Sequence, residues 1–297
     1  MTKLPIKLYA AFSDGVCGGN TAGVIYDLVD LSPAQMLRIA SDIGAPTCAF
    51  VRKKNDRTFY VRFFSSTGEM DMCGHATVAA FSALLDDNLI QCNLHTFYQL
   101  TKAGKIAIFT DRHDQTASIT IQLEVPKFEP INLRGAQFHD SFGLSSNEIK
   151  SAYSASASLN HLFVEVSTID RLSKLQLNHS NILNYSHVNG YDTIGVWCLQ
   201  QSKSGYIKLR LRDFCHGVGD HEEAASGTTN GALAGLLYQL QFPRDIESEI
   251  ATVEAEQGHE MNKPCKVLST VRFSEGKASS IHVTGSASRL QSSYVRL

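Results

Sequence analysis

The chain has 297 residues, 43% hydrophobic and 19% charged, and a formal net charge of −2. That composition describes an ordinary globular protein long enough to bury large cores, with roughly two domains as a prior from length. No Lys/Arg stripe marks a nucleic-acid face, and no apolar run approaches membrane-spanning length, so neither nucleic acid nor membrane is expected as a partner.

The first residues, Met1 to Ile6, lack the apolar core of a signal peptide. The seven cysteines are scattered, without a C-x-x-C pair, which argues against a disulfide framework and a structural zinc site. His216 and His221 lack a third ligand at regular spacing, so no metal is expected. A reducing cytoplasm is the expected compartment.

In chain order, Ile6 to Phe12 reads as a strand, followed by a glycine-rich loop over Asp14 to Thr21 and a second strand over Ala22 to Tyr26. Ser32-Pro33-Ala34-Gln35 has the pattern of a capping box with proline at the first helical position. Met36, Ile39, Ala40 and Ile43 then fall on one helical face, and Gly44 stops the helix. Ala45 to Val51 leads into a strand, with Cys48 read as a small buried hydrophobe. Strands are predicted at Thr58 to Ser65, Thr96 to Leu100, Lys105 to Thr110 and, by clean alternation, Ala117 to Leu123.

Pro126 to Pro130 breaks the pattern and marks the domain junction. Ser145-Ser146-Asn147-Glu148 reads as a second capping box opening a helix near Ile149, with helix end and loop over Ser151 to Ser158. Leu162 to Val166 and Thr193 to Leu199 read as buried strands, and Leu172 to Tyr185 as a short helix and loop. Pro243 to Gly258 reads as helix then strand, with late strands at Val267 to Phe273 and Ser280 to Val283. Many strands with one long apolar helix per half indicate an α+β class.

Two stretches carry the chemistry. Met72-Cys73-Gly74-His75-Ala76-Thr77 follows a strand-like run containing Arg62 and a turn containing Glu69, and opens an apolar helix over Ala76 to Leu85. Further on, a run containing Arg212 is followed by Glu222, Glu223, Ser226-Gly227-Thr228-Thr229 and an apolar helix over Asn230 to Leu240. The shared order, Arg-x-Phe, acid, Cys-Gly or Ser-Gly, helix, recurs at about 150 residues, the signature of a duplicated unit. Two such units facing each other bring two helix N-termini to one cleft. Their unpaired amides suit a carboxylate or oxyanion, and a thiol beside them is expected to have a lowered pKa. His75 and Glu223 are candidate acid/base groups. Ser226, Thr228 and Thr229 read equally as helix caps or as hydrogen-bond donors to substrate. Proton abstraction beside a carboxylate, with return to another atom or face, fits these parts and needs no cofactor.

The sequence resembles the phenazine-biosynthesis PhzF-like family, which shares its fold with diaminopimelate epimerase. The similarity rests on Gly19-Asn20-Thr21-Ala22-Gly23-Val24, Gln35-Met36 to Ile39-Ala40, Arg62-Phe63-Phe64 to Glu69, Cys73-Gly74-His75-Ala76-Thr77, and Glu222-Glu223-Ala224-Ala225-Ser226-Gly227 with Asn230-Gly231 following. It covers almost the whole chain. The resemblance implies two similar domains, each a β-barrel-like sheet wrapped around a central helix. Residues 1–126 with about 286–297 would form one half, and 127–285 the other. It also implies a homodimer and a cofactor-independent isomerase or epimerase that moves a proton on a small carboxylate substrate.

On that pattern Cys73, His75 and Glu223 are the catalytic candidates. Asn20, Gly74, Ala76, Ser226, Gly227, Thr228 and Thr229 are the substrate-binding candidates. Thr47 stands where the family has a glutamate acid/base, Ala10 replaces an early aspartate, and Ser226 replaces the second cysteine of the epimerase relatives. Threonine does not shuttle protons near neutral pH. The alternative expectation is therefore a small-molecule-binding protein of the same fold with impaired chemistry.

Overall fold

The computed structural model describes residues 3–13, 18–26, 30–91, 96–113, 116–133, 136–215, 222–240 and 250–296. The first half runs β1 (Lys3–Ala11), β2 (Asn20–Tyr26), α1 (Pro33–Ile43), β3 (Thr47–Asn55), β4 (Thr58–Phe64), β5 (Glu69–Met70), α2 (Gly74–Asp86), β6 (Thr96–Thr101), β7 (Gly104–His113) and β8 (Thr116–Leu123). β1 pairs antiparallel with β2, β2 parallel with β3 across α1, and β3 antiparallel with β4. β4 then pairs parallel with β6 across α2, and β6, β7 and β8 follow as an antiparallel meander. Both parallel pairings enclose a helix, because a parallel partner is reached only by a crossover.

The second half repeats this wiring. It runs β9 (Lys127–Pro130), α3 (Ala136–Phe142), β10 (Ile149–Ser156), β11 (Asn160–Val166), α4 (Ile169–Ser173), α5 (His179–Asn189), β12 (Thr193–Lys203), β13 (Tyr206–Cys215), β14 (Glu222–Glu223), α6 (Gly227–Gln239), β15 (Ile250–Gln257), β16 (Cys265–Ser274) and β17 (Lys277–Gly285). β10 to β13 and β15 to β17 repeat the pairing senses of β1 to β4 and β6 to β8, with α6 in the place of α2. β8 pairs with β17 to join the halves, and the last strand, β18 (Ala287–Arg296), pairs with β1 as β9 pairs with β10. The result is an α+β fold of two barrel-like halves of diaminopimelate epimerase type.

Composition explains where the helices sit. α2 is buried from Gly74 through Leu85, and α6 at Gly227 and from Thr229 through Tyr238. A helix apolar on every face has no side to offer water and must be surrounded, here by its own sheet. Within the first half Phe81 of α2 meets Phe59 edge to face at 5.8 Å and Phe97 at 6.3 Å. α1 is one-sided: only Met36, Ile39 and Ala40 are buried, and it has the Ser32/Gln35 capping box and a left-handed Gly44 stop that its sequence specifies.

The repeated Arg and Glu form matching clamps. Arg62 Nε and Nη2 donate to the two carboxylate oxygens of Glu69 at 2.7 and 2.9 Å. Arg212 Nε and Nη2 donate to those of Glu222 at 2.9 and 2.7 Å. Each fork ties a short strand, β5 or β14, to the long strand before it, so the next helix starts from a fixed point. Two buried glutamines tie the helices themselves. Gln99 accepts from Thr77 at 3.1 Å, while Gln257 accepts from Asn230 at 2.8 Å and donates to the Glu223 carbonyl at 2.7 Å.

Some expectations change. The Ser145/Glu148 capping box is present but closes only a 3-10 turn over Ser146–Glu148, and Ile149–Ser156 is strand β10 rather than helix and loop. Pairing with both β9 and β11 overrides the serine- and alanine-rich composition there. Leu172 to Tyr185 spans parts of two helices, α4 and α5. Pro126 to Pro130, the pattern break, runs into strand β9. The helix expected after Pro243, and His216 and His221, lie outside the described residues. Cys48, Cys73, Cys198, Cys215 and Cys265 are all buried. Among the described residues no helix is long and apolar enough to cross a membrane.

The halves meet at Gly74 and Gly227. A Cβ placed on Gly74 would lie 3.2 Å from both the Cα and the nitrogen of Gly227, tighter than ordinary van der Waals contact, and these neighbours are backbone. A Cβ on Gly227 would lie 3.5 Å from Gly74 Cα, an ordinary contact. Gly74→Ala is therefore expected to destabilise the protein by about 1–3 kcal/mol, and Gly227→Ala by clearly less, because only the first pushes the two helix ends apart. Urea unfolding of the two variants checks the order.

Candidate active site

The two abutting helix N-termini form the floor of a cavity of about 630 Å³ between the halves. Cys73, Gly74 and His75 line it from the first half, and Thr193, Cys215, Glu223, Ser226 and Thr228 from the second. Its mouth carries Glu69, Asp71, Glu124 and Asp192, and the Glu69 charge is balanced by Arg62 and Lys102. An adjoining hollow of about 450 Å³ shares Met72, Ala103, Glu124 and Thr228 and adds Lys105 and His161. A wider hollow of about 860 Å³ beside β9 and β10 contains neither a thiol nor a buried carboxylate and lies away from this cluster.

Of the residues singled out in the sequence, Cys73, Gly74, His75, Glu223, Ser226 and Thr228 line the cavity. Asn20, Thr47, Ala76, Gly227 and Thr229 are not among its lining residues. Asn20 donates from Nδ2 to the Ala225 carbonyl at 2.8 Å and to His75 Nδ1 at 3.1 Å, so it couples the loop before α6 to a side chain of α2. A carbonyl oxygen only accepts, which fixes Asn20 Nδ2 as the atom facing it. His75 Nδ1 is therefore an acceptor, and the neutral ring carries its proton on Nε2. Thr47 is fully buried and its hydroxyl contacts Met70 Sδ at 3.8 Å. The Ala76 side chain is core, and the Thr229 hydroxyl donates to Asp213 Oδ2 at 2.8 Å.

Cys73 and Ser226 occupy equivalent cap positions. The Ser226 hydroxyl accepts from the Thr229 amide at 3.4 Å, whereas Cys73 makes no side-chain cap bond. Cys73 Sγ lies 3.4 Å from His75 Nδ1. The expectation of an easily ionised thiol does not hold. Burial, with the nearby Glu223 charge added, pushes the Cys73 thiol up to about 12, and the amides of Ala76 and His75 and the Thr47 hydroxyl only partly offset this. Desolvation outweighs the helix field here, as it does for thiols sunk in apolar surroundings. Burial also pushes His75 down to about 4, so it is a neutral hydrogen-bonding group at physiological pH.

Burial pushes the carboxyls up as well. Glu223 is pushed up to about 8 by burial and then by the Asp213 charge, with Ser226 pulling the other way. Asp213, completely buried, is pushed up to about 7 by burial against the nearby hydroxyls of Thr229, Ser226 and Thr193. Asp213, Cys215, Thr193 and Gln257 were not singled out in the sequence. Their partner-dependent roles arise from strand register, and no short motif announces them. The site is thus a floor of two helix starts surrounded by groups that burial keeps largely uncharged. Such a floor can hold an anion, and a carboxyl titrating near 8 can move a proton close to neutral pH.

Two measurements follow. Alkylation of the Cys73 peptide by iodoacetamide, read by mass spectrometry, is expected to stay slow at about pH 9, where an ordinary thiol with a pKa of about 8.5 is largely thiolate. On the acid side, folded His75 holds its proton less tightly than the unfolded chain, so its contribution to stability is complete above the unfolded value of 6.5 and is lost as pH falls towards about 4. His75→Gln is expected to flatten the loss of stability over that window, measured by denaturant unfolding at a series of pH values.

Comparison with known proteins agrees with this fold. The family model described as "Phenazine biosynthesis-like protein" matches residues 9–292. The chain is 26% identical over 287 residues to the uncharacterized isomerase YddE of Escherichia coli K12, covering 93% of each chain. It is 26% identical over 283 residues to the trans-2,3-dihydro-3-hydroxyanthranilate isomerase of Pseudomonas fluorescens, again covering 93% of each. The crystal structure of a PhzF-family phenazine biosynthesis protein from Bacillus anthracis superposes with a TM-score of 0.86 at 23% identity, covering all of both chains. With two duplicated halves, their helix starts meeting over one cleft, and a family match across nearly its whole length, this chain belongs to the phenazine biosynthesis-like family, among whose members similar to it are named isomerases.

Proposed function

We propose that the protein is a cofactor-independent isomerase that moves a proton on a small carboxylate-bearing substrate, with Glu223 as the acid/base. The observation that carries this reading is one buried carboxyl, pushed up to about 8, facing a cavity floored by two helix N-termini. The substrate carboxylate sits on the helix amides, and ionised Glu223 takes a proton from the neighbouring carbon. The acid so formed returns the proton to another position. A base whose pKa lies close to the working pH serves both steps. Ser226 and Thr228 supply hydroxyl hydrogen bonds, and neutral His75 orients the substrate through Nε2–H. The acids at the cavity mouth favour a substrate that also carries an amine, and the relative named for trans-2,3-dihydro-3-hydroxyanthranilate acts on a molecule with both groups.

Thr47 favours return of the proton on the same face. Where the family has a glutamate, this side of the site offers only a hydroxyl contacting Met70 and a thiol that resists ionisation. One specific observation supports a second reading. A binding protein that has lost its chemistry also accommodates Thr47 at that position, and its ligand affinity would survive both Cys73→Ala and Glu223→Gln.

The test is turnover of a panel of chiral amino and hydroxy acids, with trans-2,3-dihydro-3-hydroxyanthranilate included, in deuterated water. Solvent deuterium is expected at the carbon that receives the proton, and Glu223→Gln is expected to slow exchange by about 10²–10⁴-fold. The reaction needs Glu223 ionised in the free enzyme, so kcat/KM is expected to rise with pH through a midpoint of about 8. Binding of panel members without exchange anywhere would favour the second reading.

A further inference from the structure

Behind Glu223 lies a carboxylate that the proposed chemistry does not use. Asp213 pairs directly with Glu223 in the β13–β14 register, so the two side chains project from the same face of the sheet into one buried space. Asp213 is completely buried and Glu223 is 9% exposed. Asp213 Oδ2 accepts from the Thr229 hydroxyl in the first turn of α6 at 2.8 Å, and the Ser226 and Thr193 hydroxyls also lie near the carboxyl. The corresponding positions in the first half are Phe63 and Met70, which face each other in the β4–β5 register as a purely apolar pair. The carboxylate pair is therefore an addition of the second half and is not required by the fold.

We propose that Asp213 is a positioning residue that sets the proton affinity of Glu223, the two carboxylates holding one proton between them. The order of ionisation follows from their partners. Asp213 receives the Thr229 hydroxyl and sits at the positive end of α6, so the first negative charge settles there. Glu223 must then ionise against that charge in a space water does not screen, and it keeps the proton that faces the cavity.

The other groups around Glu223 do not replace this effect. From β13 Cys215 is a thiol whose pKa burial raises, and from α2 Cys73 and His75 are neutral. Glu222 is clamped by Arg212. Lys263 lines the small crevice behind Glu222 and Glu223 with Asn20, Pro46 and Met261, and Asp192 stands at the cavity mouth.

This inference rests on the acid/base role given to Glu223, but its test needs no substrate, so it can fail or succeed whether or not turnover is found. Protein labelled with ¹³C at the glutamate side-chain carboxyls is titrated without ligand from about pH 5 to about pH 10, and the Glu223 resonance is identified by its loss in Glu223→Gln. In the wild type the expected midpoint is about 8, with a smaller inflection near 7 as Asp213 ionises. Asp213→Asn keeps an acceptor for Thr229 and removes the charge, and Asp213→Ser removes the amide as well. In either variant the proton affinity of Glu223 is expected to fall by about tenfold or more, a shift of about one pH unit. A midpoint unmoved in folded variants overturns the proposal. If neither variant folds, as judged by circular dichroism, a single-step wild-type titration with no second inflection overturns it equally.

Discussion

The abutment of two helix N-termini at Gly74 and Gly227 is the constraint on which the rest of the molecule depends. Each terminus carries roughly half a positive charge, so two of them in contact repel. The arrangement persists because each helix is anchored far from the contact. Sheet surrounds both on every side, and the forks Arg62–Glu69 and Arg212–Glu222 fix where each begins. What remains at the junction is concentrated positive potential looking into a cavity. That potential is what the proposed carboxylate site rests on, and at position 74 a side chain would push the two backbones apart.

Desolvation decides how the functional groups respond. The same helix start that would favour a thiolate at Cys73 lies in a space too dry for one, and the nearby Glu223 charge opposes it further. His75 is kept neutral and held in one tautomer by Asn20. Burial raises an acid and lowers a base, so thiol, imidazole and carboxyls all move towards their uncharged forms, and only the carboxyls end close to neutral pH. A floor of helix starts beneath neutral donors suits a ligand that brings its own negative charge.

Much of this was legible in the sequence, for a definite reason. Arg62, Glu69, Gly74, Arg212, Glu222 and Gly227 act locally, within one strand, turn and helix start, so their order along the chain carries their meaning. The apolar runs from Ala76 and from Asn230 announced surrounded helices in the same way. What stayed hidden depends on contacts between distant segments. Asp213 reads as one polar residue in a strand, and its weight comes from facing Glu223 across a pairing that follows an intervening loop. Asn20, Thr47 and Thr229 carried family positions, yet the sequence could not show that they do not line the cavity. Ile149–Ser156 looked like helix and loop because serine and alanine say little about strand, and only its two neighbours make it one.

The return of β18 to β1 affects the order in which the chain can mature. The second half, from β9 to β17, is drawn from one uninterrupted stretch, while the first half has an open edge along β1 until β18 arrives from the far end of the sequence. A ribosome that has released only the first half leaves that edge exposed, with nothing to cover its hydrogen-bonding groups. Closure of the first barrel therefore waits on synthesis of the second. The protein should acquire its early structure slowly, through contacts of long sequence separation, and should depend on protection from aggregation in the interval.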